Sequence, residues 1–165
     1  MDDGKGGAFK TITGLDSNDA RTTYTVTGLT KGLSYGFMYR CKNANGWSDY
    51  SDITYVKAAD VPARPPKPTL VSASDTQISL QFYLPKDNGG SPIQDYELYI
   101  NAGDGSDPTT EITNYPGTAL TYTIVGATES LTVGKIYKVV FRVINEVGES
   151  EDSPYLEVAL VDSPA

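Results

Sequence analysis

Leu131-Thr132-Val133-Gly134-Lys135-Ile136-Tyr137-Lys138-Val139-Val140-Phe141-Arg142-Val143-Ile144-Asn145-Glu146-Val147-Gly148-Glu149-Ser150 is the stretch that decides how this chain folds. Tyr137, Val139, Phe141 and Val143 fall on every second position, interleaved with Lys138 and Arg142. That period of two is a strand with one buried face. Gly134 ahead of it and Gly148 behind it supply turns. The same pattern stands 102 positions earlier without a slip, as Leu29-x-x-Gly32-x-x-Tyr35-x-Phe37-x-Tyr39-x-Cys41-x-Asn43-x-x-Gly46-x-Ser48. A repeat of that period is one small domain per copy, so the 165 residues read as a tandem array. Only 28 residues precede Leu29, too few for the strands that precede Leu131.

Outward from this strand, alternation and turn residues predict six more strands in the second copy. Residues 69–74 form a short edge-type strand after prolines. Ile78, Leu80 and Phe82 alternate with Ser79 and Gln81 until Pro85. Asn88-Gly89-Gly90-Ser91-Pro92 is a turn, because glycine supplies positive φ and proline bars ladder bonding. Tyr96, Leu98 and Ile100 then alternate with Glu97 and Tyr99, and Asn101-Ala102-Gly103-Asp104-Gly105 turns the chain again. Residues 109–115 are a weaker polar strand and 122–125 another. Residues 154–160 close the domain, with Pro154 at the strand start, where a missing N–H is tolerated. Seven short strands without helical periodicity imply an all-β, immunoglobulin-like antiparallel sandwich.

These residues resemble the fibronectin type III family. The resemblance rests on the proline-rich approach, Ile78-x-Leu80-x-Phe82, Asn88-Gly89-Gly90-Ser91-Pro92-Ile93-x-x-Tyr96, Leu131-x-x-Gly134-x-x-Tyr137 and Asn145-x-x-Gly148-x-Ser150. The family usually carries Trp where Phe82 stands. The resemblance implies that Leu29, Gly32 and Tyr35 form one tyrosine corner and Leu131, Gly134 and Tyr137 a second. In such a corner the hydroxyl bonds back to upstream backbone at the start of strand F. Residues 61–165 are then a complete domain. Residues 1–60 align only from strand C′ onward, with 9–13 as C′, 24–27 as E, 35–43 as F and 53–58 as G. Such a half leaves Tyr35, Phe37, Tyr39 and Cys41 without an opposing sheet, at about 1.5–3 kcal/mol per large side chain. The chain is therefore expected to be a fragment of a longer protein, or to have its first half completed by another chain.

Composition narrows the function. The 13 Lys and Arg against 21 Asp and Glu leave a net charge of −8, which disfavours nucleic acid and anionic membrane surfaces as partners. No apolar run is long enough to insert into a membrane as a helix. The chain has no histidine and a single cysteine, so imidazole-based catalysis, imidazole metal ligation and an internal disulfide are all absent. No catalytic residue, cofactor or metal is expected, and Cys41, at an inward position, is expected to be a buried structural thiol. Asp104-Gly105-Ser106-Asp107 and Asp2-Asp3 are read as solvated turn acids rather than a calcium site.

Contacts with unknown protein partners are expected at the loops after strand F: Asn45, Gly46 and Trp47 in one copy; Glu146, Val147, Gly148 and Glu149 in the other. Trp47-Ser48-Asp49-Tyr50-Ser51 resembles the Trp-Ser-x-Trp-Ser box of class I cytokine receptors, in which tryptophans stack against strand F arginines. The plainer reading is that Trp47 covers Arg40. Glu146, Glu149, Glu151 and Asp152 form an acidic end that is either solvated or steers a basic partner. Pro62-x-x-Pro65-x-Lys67 matches a polyproline ligand but is read as a stiff connector. The expected function is a non-catalytic spacer and protein-interaction module of a larger protein. The alternatives are an accessory domain of a carbohydrate-active enzyme, a cytokine-type receptor ectodomain and an intracellular cytoskeletal array. An extracellular or cell-surface location is the expectation, with the cytoskeletal one beside it.

Overall fold

Alternation determines which segments can be strands, but a strand also needs a neighbour to bond with. The structure, a computed structural model, describes residues 1–14 and 20–161. Two compact units divide the chain, Met1–Asp60 and Val61–Ala165. Among the described residues every helix or strand element is a strand. The first unit holds β1 (Ser34–Phe37), β2 (Lys42–Asn43), β3 (Gly46–Trp47) and β4 (Thr54–Lys57). The second holds β5 (Thr69–Ala73), β6 (Gln77–Gln81), β7 (Ile93–Ile100), β8 (Thr110–Glu111), β9 (Thr121–Val125), β10 (Ile136–Asn145) and β11 (Leu156–Ala159).

The second unit is a sandwich of two antiparallel sheets, ordered β5-β6-β9 and β11-β10-β7-β8. Strand β10 is its centre, pairing Val139 with Ile100, Phe141 with Leu98 and Val143 with Tyr96 on one side, and Tyr137 with Val158 on the other. Its inward residues Val139, Phe141 and Val143 are fully buried against Ile78, Leu80 and Phe82 of the facing sheet. Phe82 lies parallel to Phe141 with ring centroids 4.5 Å apart, and Tyr96 and Tyr115 tilt against this pair. Phenylalanine fills the inter-sheet position without an N–H to satisfy. The polar strand expected over 109–115 shrinks to Thr110–Glu111. Beyond it Ile112 and Tyr115 turn into the core, and the Tyr115 N–H donates to the Ile112 carbonyl at 3.0 Å.

In the first unit β1 pairs with β4, and β2 with β3. The strands expected over 9–13 and 24–27 are absent. The second unit explains why. There β9, in the strand E place, pairs only with β6, and β8, in the strand C′ place, pairs only with β7. The first unit has no counterpart of β6 or β7 among the described residues, so its E and C′ segments have nothing to bond with. Strands F and G supply each other's partners, and that hairpin survives.

The inward F stripe differs accordingly. Tyr35 is 5% exposed, but Tyr39 is 72% exposed and Cys41 is exposed. The expectation of a buried Cys41 is thus corrected, because no sheet among the described residues covers it. The connector also differs from a bare spacer. Pro62, Pro65 and Pro68 are buried at a period of three, and the Arg64 Nε–H donates to the Asp152 carbonyl at 2.5 Å. The prolines that a polyproline-binding groove would grip are therefore occupied.

Candidate interaction surfaces

Both copies of the repeated stretch are held by the same bonds. At Gly32 and Gly134 φ is +86° and +83°, a left-handed turn that glycine enters without strain. Each glycine N–H then reaches the closing strand, Gly32 to the Ala58 carbonyl at 2.7 Å and Gly134 to the Leu160 carbonyl at 3.0 Å. Tyr35 Oη accepts the Thr30 N–H at 2.8 Å, and Tyr137 Oη accepts the Thr132 N–H at 2.8 Å. Leu29 is half-buried, and Leu131 packs against the core. The tyrosine and glycine bonds thus recur at the entry into strand F in both units.

One partner of this turn could not be read from strand patterns. Asn101 Oδ1 accepts the Lys138 N–H at 2.9 Å, while the Asn101 N–H donates to the Lys138 carbonyl at 3.2 Å. In the first unit Asp2 takes that role on Gly36, with distances of 2.9 and 3.1 Å. Asp2 is 4% exposed, so what reads as a solvated turn acid is a structural acceptor. Asp3 and Asp104 do face solvent. N–H bonds from Gly7 and Lys5 hold the Asp3 carboxyl below the usual carboxylate range. Bonds from Ser106 do the same for Asp104. Among the described residues no group of three His, Cys, Asp or Glu could hold a metal ion.

Past strand F a serine ladder replaces ordinary strand pairing. Ser48 Oγ accepts the Cys41 N–H and Ser51 Oγ the Tyr39 N–H, at 3.0 and 3.1 Å. Ser150 Oγ and Ser153 Oγ do the same for Val143 and Phe141, at 3.2 and 3.0 Å. The serine N–H groups return bonds to the same residues' carbonyls. The signal was available in the sequence as Gly-x-Ser-x-x-Ser at both copies.

The ladder turns the residues between its serines outward, over an arginine of strand F. Arg40 stacks on Trp47 at 4.4 Å and on Tyr50 at 4.7 Å, with Lys42 5.4 Å from the Trp47 ring. Its counterpart Arg142 is held by Asp152 at 2.5 Å and Glu149 at 3.1 Å, and lies over Tyr99 at 4.6 Å. The Asp152 bond is what chiefly raises the Arg142 pKa. The acidic end is thus partly consumed internally, since Glu146 Oε1 also accepts the Ser91 hydroxyl at 2.8 Å. Asn45 is exposed and Gly46 half-buried at the first loop, beside the exposed Trp47. At the second loop Val147 is exposed and Gly148 half-buried.

These surfaces are open rather than enclosed. Two shallow depressions mark these surfaces, one along Gly103, Lys135, Ile136 and Glu157, the other around Cys41, Asn43 and Trp47. No helix among the described residues is long and apolar enough to cross a membrane. Neither depression gathers the paired acids or activated nucleophile that hydrolysis or group transfer requires.

No family model matches the chain. It is 32% identical over 138 residues to fibronectin type-III domain-containing protein 3a of Gallus gallus, covering 79% of this chain and 10% of that protein. To myomesin-2 of Homo sapiens it is 32% identical over 135 residues, covering 79% of this chain and 9% of that protein. The chain thus spans about a tenth of the length of these two relatives. A solution structure of an FNIII domain of a human protein matches with TM-score 0.54 and 25% identity, covering 65% of this chain and 85% of the domain. Domains A168–A170 of titin share the fold at TM-score 0.58 and 20% identity, covering 82% of this chain and 44% of theirs. The two-sheet order, the β10-centred core and these relatives agree, and the chain belongs to the fibronectin type III family.

Proposed function

We propose that this chain is a non-catalytic spacer and protein-interaction module of a larger multi-domain protein. In this reading Val61–Ala165 is a complete fibronectin type III domain, and Met1–Asp60 is the C′-to-G part of a second. The observation that carries the proposal is the use of the interior. The space between the sheets is filled by fully buried Ile78, Leu80, Phe82, Leu98, Phe141 and Val143, so what remains for function is loops, edges and outer faces. Its relatives fit this reading, since the matched segments are small parts of much longer chains. The contact residues would be Asn45, Gly46 and Trp47 on the first unit and Glu146, Val147, Gly148 and Glu149 on the second.

The receptor reading draws on the stack of Trp47 and Tyr50 on Arg40. Against it, carboxylates hold Arg142 at the same place in the second unit, and the single cysteine allows no internal disulfide. Clamping the strand F arginine is thus better read as a structural device of this turn.

A module must fold by itself. Residues 61–165 made alone should unfold in urea as one cooperative transition, at the midpoint the same residues show within the whole chain. Failure to fold alone would remove the module reading.

A further inference from the structure

We infer that Asn45 is a site of spontaneous deamidation, while Asn88, followed by the same residue, is shielded from it. Asn-Gly occurs twice in the chain, at 45–46 and at 88–89. In this chemistry the backbone nitrogen of the following residue attacks the side-chain amide carbon. The amide nitrogen leaves as ammonia, taking up the backbone proton. The five-membered imide that forms is then opened by water at either carbonyl. One opening gives aspartate. The other gives isoaspartate, in which the chain runs through the β-carboxyl and is one methylene longer. Glycine favours the attack because no Cβ stands in its way. By sequence the two sites are alike, and by structure they are not.

At Asn88 the reacting groups are held. Gly89 is buried, and its N–H, the attacking group, donates to Asp87 Oδ1 at 2.9 Å. Asn88 Oδ1 accepts the Gly90 N–H at 3.0 Å, and the Asn88 carbonyl accepts an N–H from the Asn145 side chain at 2.9 Å. Asn145 is itself buried. Ring closure therefore requires these bonds to break and the turn to open.

Asn45 is placed differently. Its N–H donates to Asn43 Oδ1 at 2.8 Å, but among the described residues no hydrogen bond holds its exposed side chain. Gly46 stands at the tip of a ladder of two residues a side, Lys42 opposite Trp47 and Asn43 opposite Gly46. The end rung of so short a ladder frays more easily than a buried turn opens. The space beside Gly46 is open as well. Apart from its chain neighbours, no atom of the described residues lies within 4 Å of where a side chain would begin. Asn45 lines the shallow depression that Lys42 and Trp47 also line, so its conversion adds a carboxylate to the proposed contact loop. That consequence for contacts rests on the module reading, whereas the chemistry does not. The second copy lacks the site, because Val147 stands at the matching position.

The test incubates the whole 165-residue chain in mildly alkaline buffer at physiological temperature. Peptide mapping, with fragmentation that separates aspartate from isoaspartate, follows each asparagine over time. Asn45 should convert to both products, about tenfold or more faster than Asn88. In urea concentrated enough to unfold the chain, the two sites should convert at similar rates, because folding rather than sequence separates them. Persistence of Asn45 in the folded chain, or equal rates at the two sites before unfolding, would overturn the inference. So would a difference between the sites that survives in urea. None of these outcomes depends on whether residues 61–165 unfold alone in one step, so this inference and the module reading can fail separately.

Discussion

Arg40 and Arg142 hold the same place in two copies of one strand, yet one is gripped by two aromatic rings and the other by two carboxylates. Trp47 and Tyr50 stand 102 positions before Glu149 and Asp152, so each pair of gripping residues is matched position for position. The serine ladder beneath them is the same in both. A few ångströms away, on the inward face, the copies diverge for a different reason. Phe141 is fully buried and Tyr39 is 72% exposed, because among the described residues only the second unit has a facing sheet. Outward differences thus come from which side chains were chosen, and inward differences from which strands are present.

The inward contrast carries the largest expected effect. Phe141→Ala should cost about 3–5 kcal/mol in urea unfolding, from the lost burial and the cavity left beside Phe82. Tyr39→Ala, at the same strand position, should stay within about 0.5 kcal/mol, as for other exposed sites. Comparable losses at both positions would mean that Tyr39 is covered in solution. Next come the tyrosine hydroxyls. Tyr137→Phe removes the acceptor for the Thr132 N–H and should cost about 0.5–1.5 kcal/mol in the same measurement. No change would mean that this bond is replaced by water without loss.

The outward contrast is smaller. Glu149→Trp with Asp152→Tyr would give the second unit the clamp of the first. The ion pairs are part-exposed and worth about 0.2–1 kcal/mol, and the stacked arginine about 0.5–1 kcal/mol, so net stability should barely move. What should change is its salt dependence. In 1 M NaCl the original clamp should weaken and the aromatic one should not, read from unfolding midpoints. Equal salt dependence would show that the carboxylates contribute nothing.

Alkali probes the ring beneath Arg142. Burial, followed by the bond to Glu97 Oε2, pushes the Tyr99 pKa from 10.0 up to about 12. The unfolded chain loses this proton near pH 10 while the folded chain keeps it, so the contribution is complete below pH 10. It is lost as pH rises from 10 to about 12. Tyr99→Phe should flatten part of the stability decline in that window. Tyr115 and Tyr122, also raised chiefly by burial, account for more of it. An unchanged slope would mean that the Tyr99 phenol ionises as freely folded as unfolded.

Much of the fold could be read from alternation alone, and β10 spans the residues its pattern marked. The misses in the first unit's strands share one cause. Side-chain periodicity records that a segment is able to face a core, but the segments at 9–13 and 24–27 have no neighbouring strand among the described residues. Cys41 was misjudged in the same way, since its inward parity was read correctly and its cover was not. The role of Asp2 needed three-dimensional proximity. Asp2 is 34 residues from its partner Gly36, and no local pattern joins them. The serines were legible, because their spacing recurs intact in both copies.

The serine ladder has a consequence for how such a surface can change. It fixes the backbone through hydroxyls at positions 48 and 51 in one copy and 150 and 153 in the other. The residues between them carry none of that load. Aromatic and acidic side chains can therefore be exchanged there with the path of the chain left as it is. Beside a rigid strand the molecule keeps a short cassette whose surface chemistry is free to be rewritten while its shape is not.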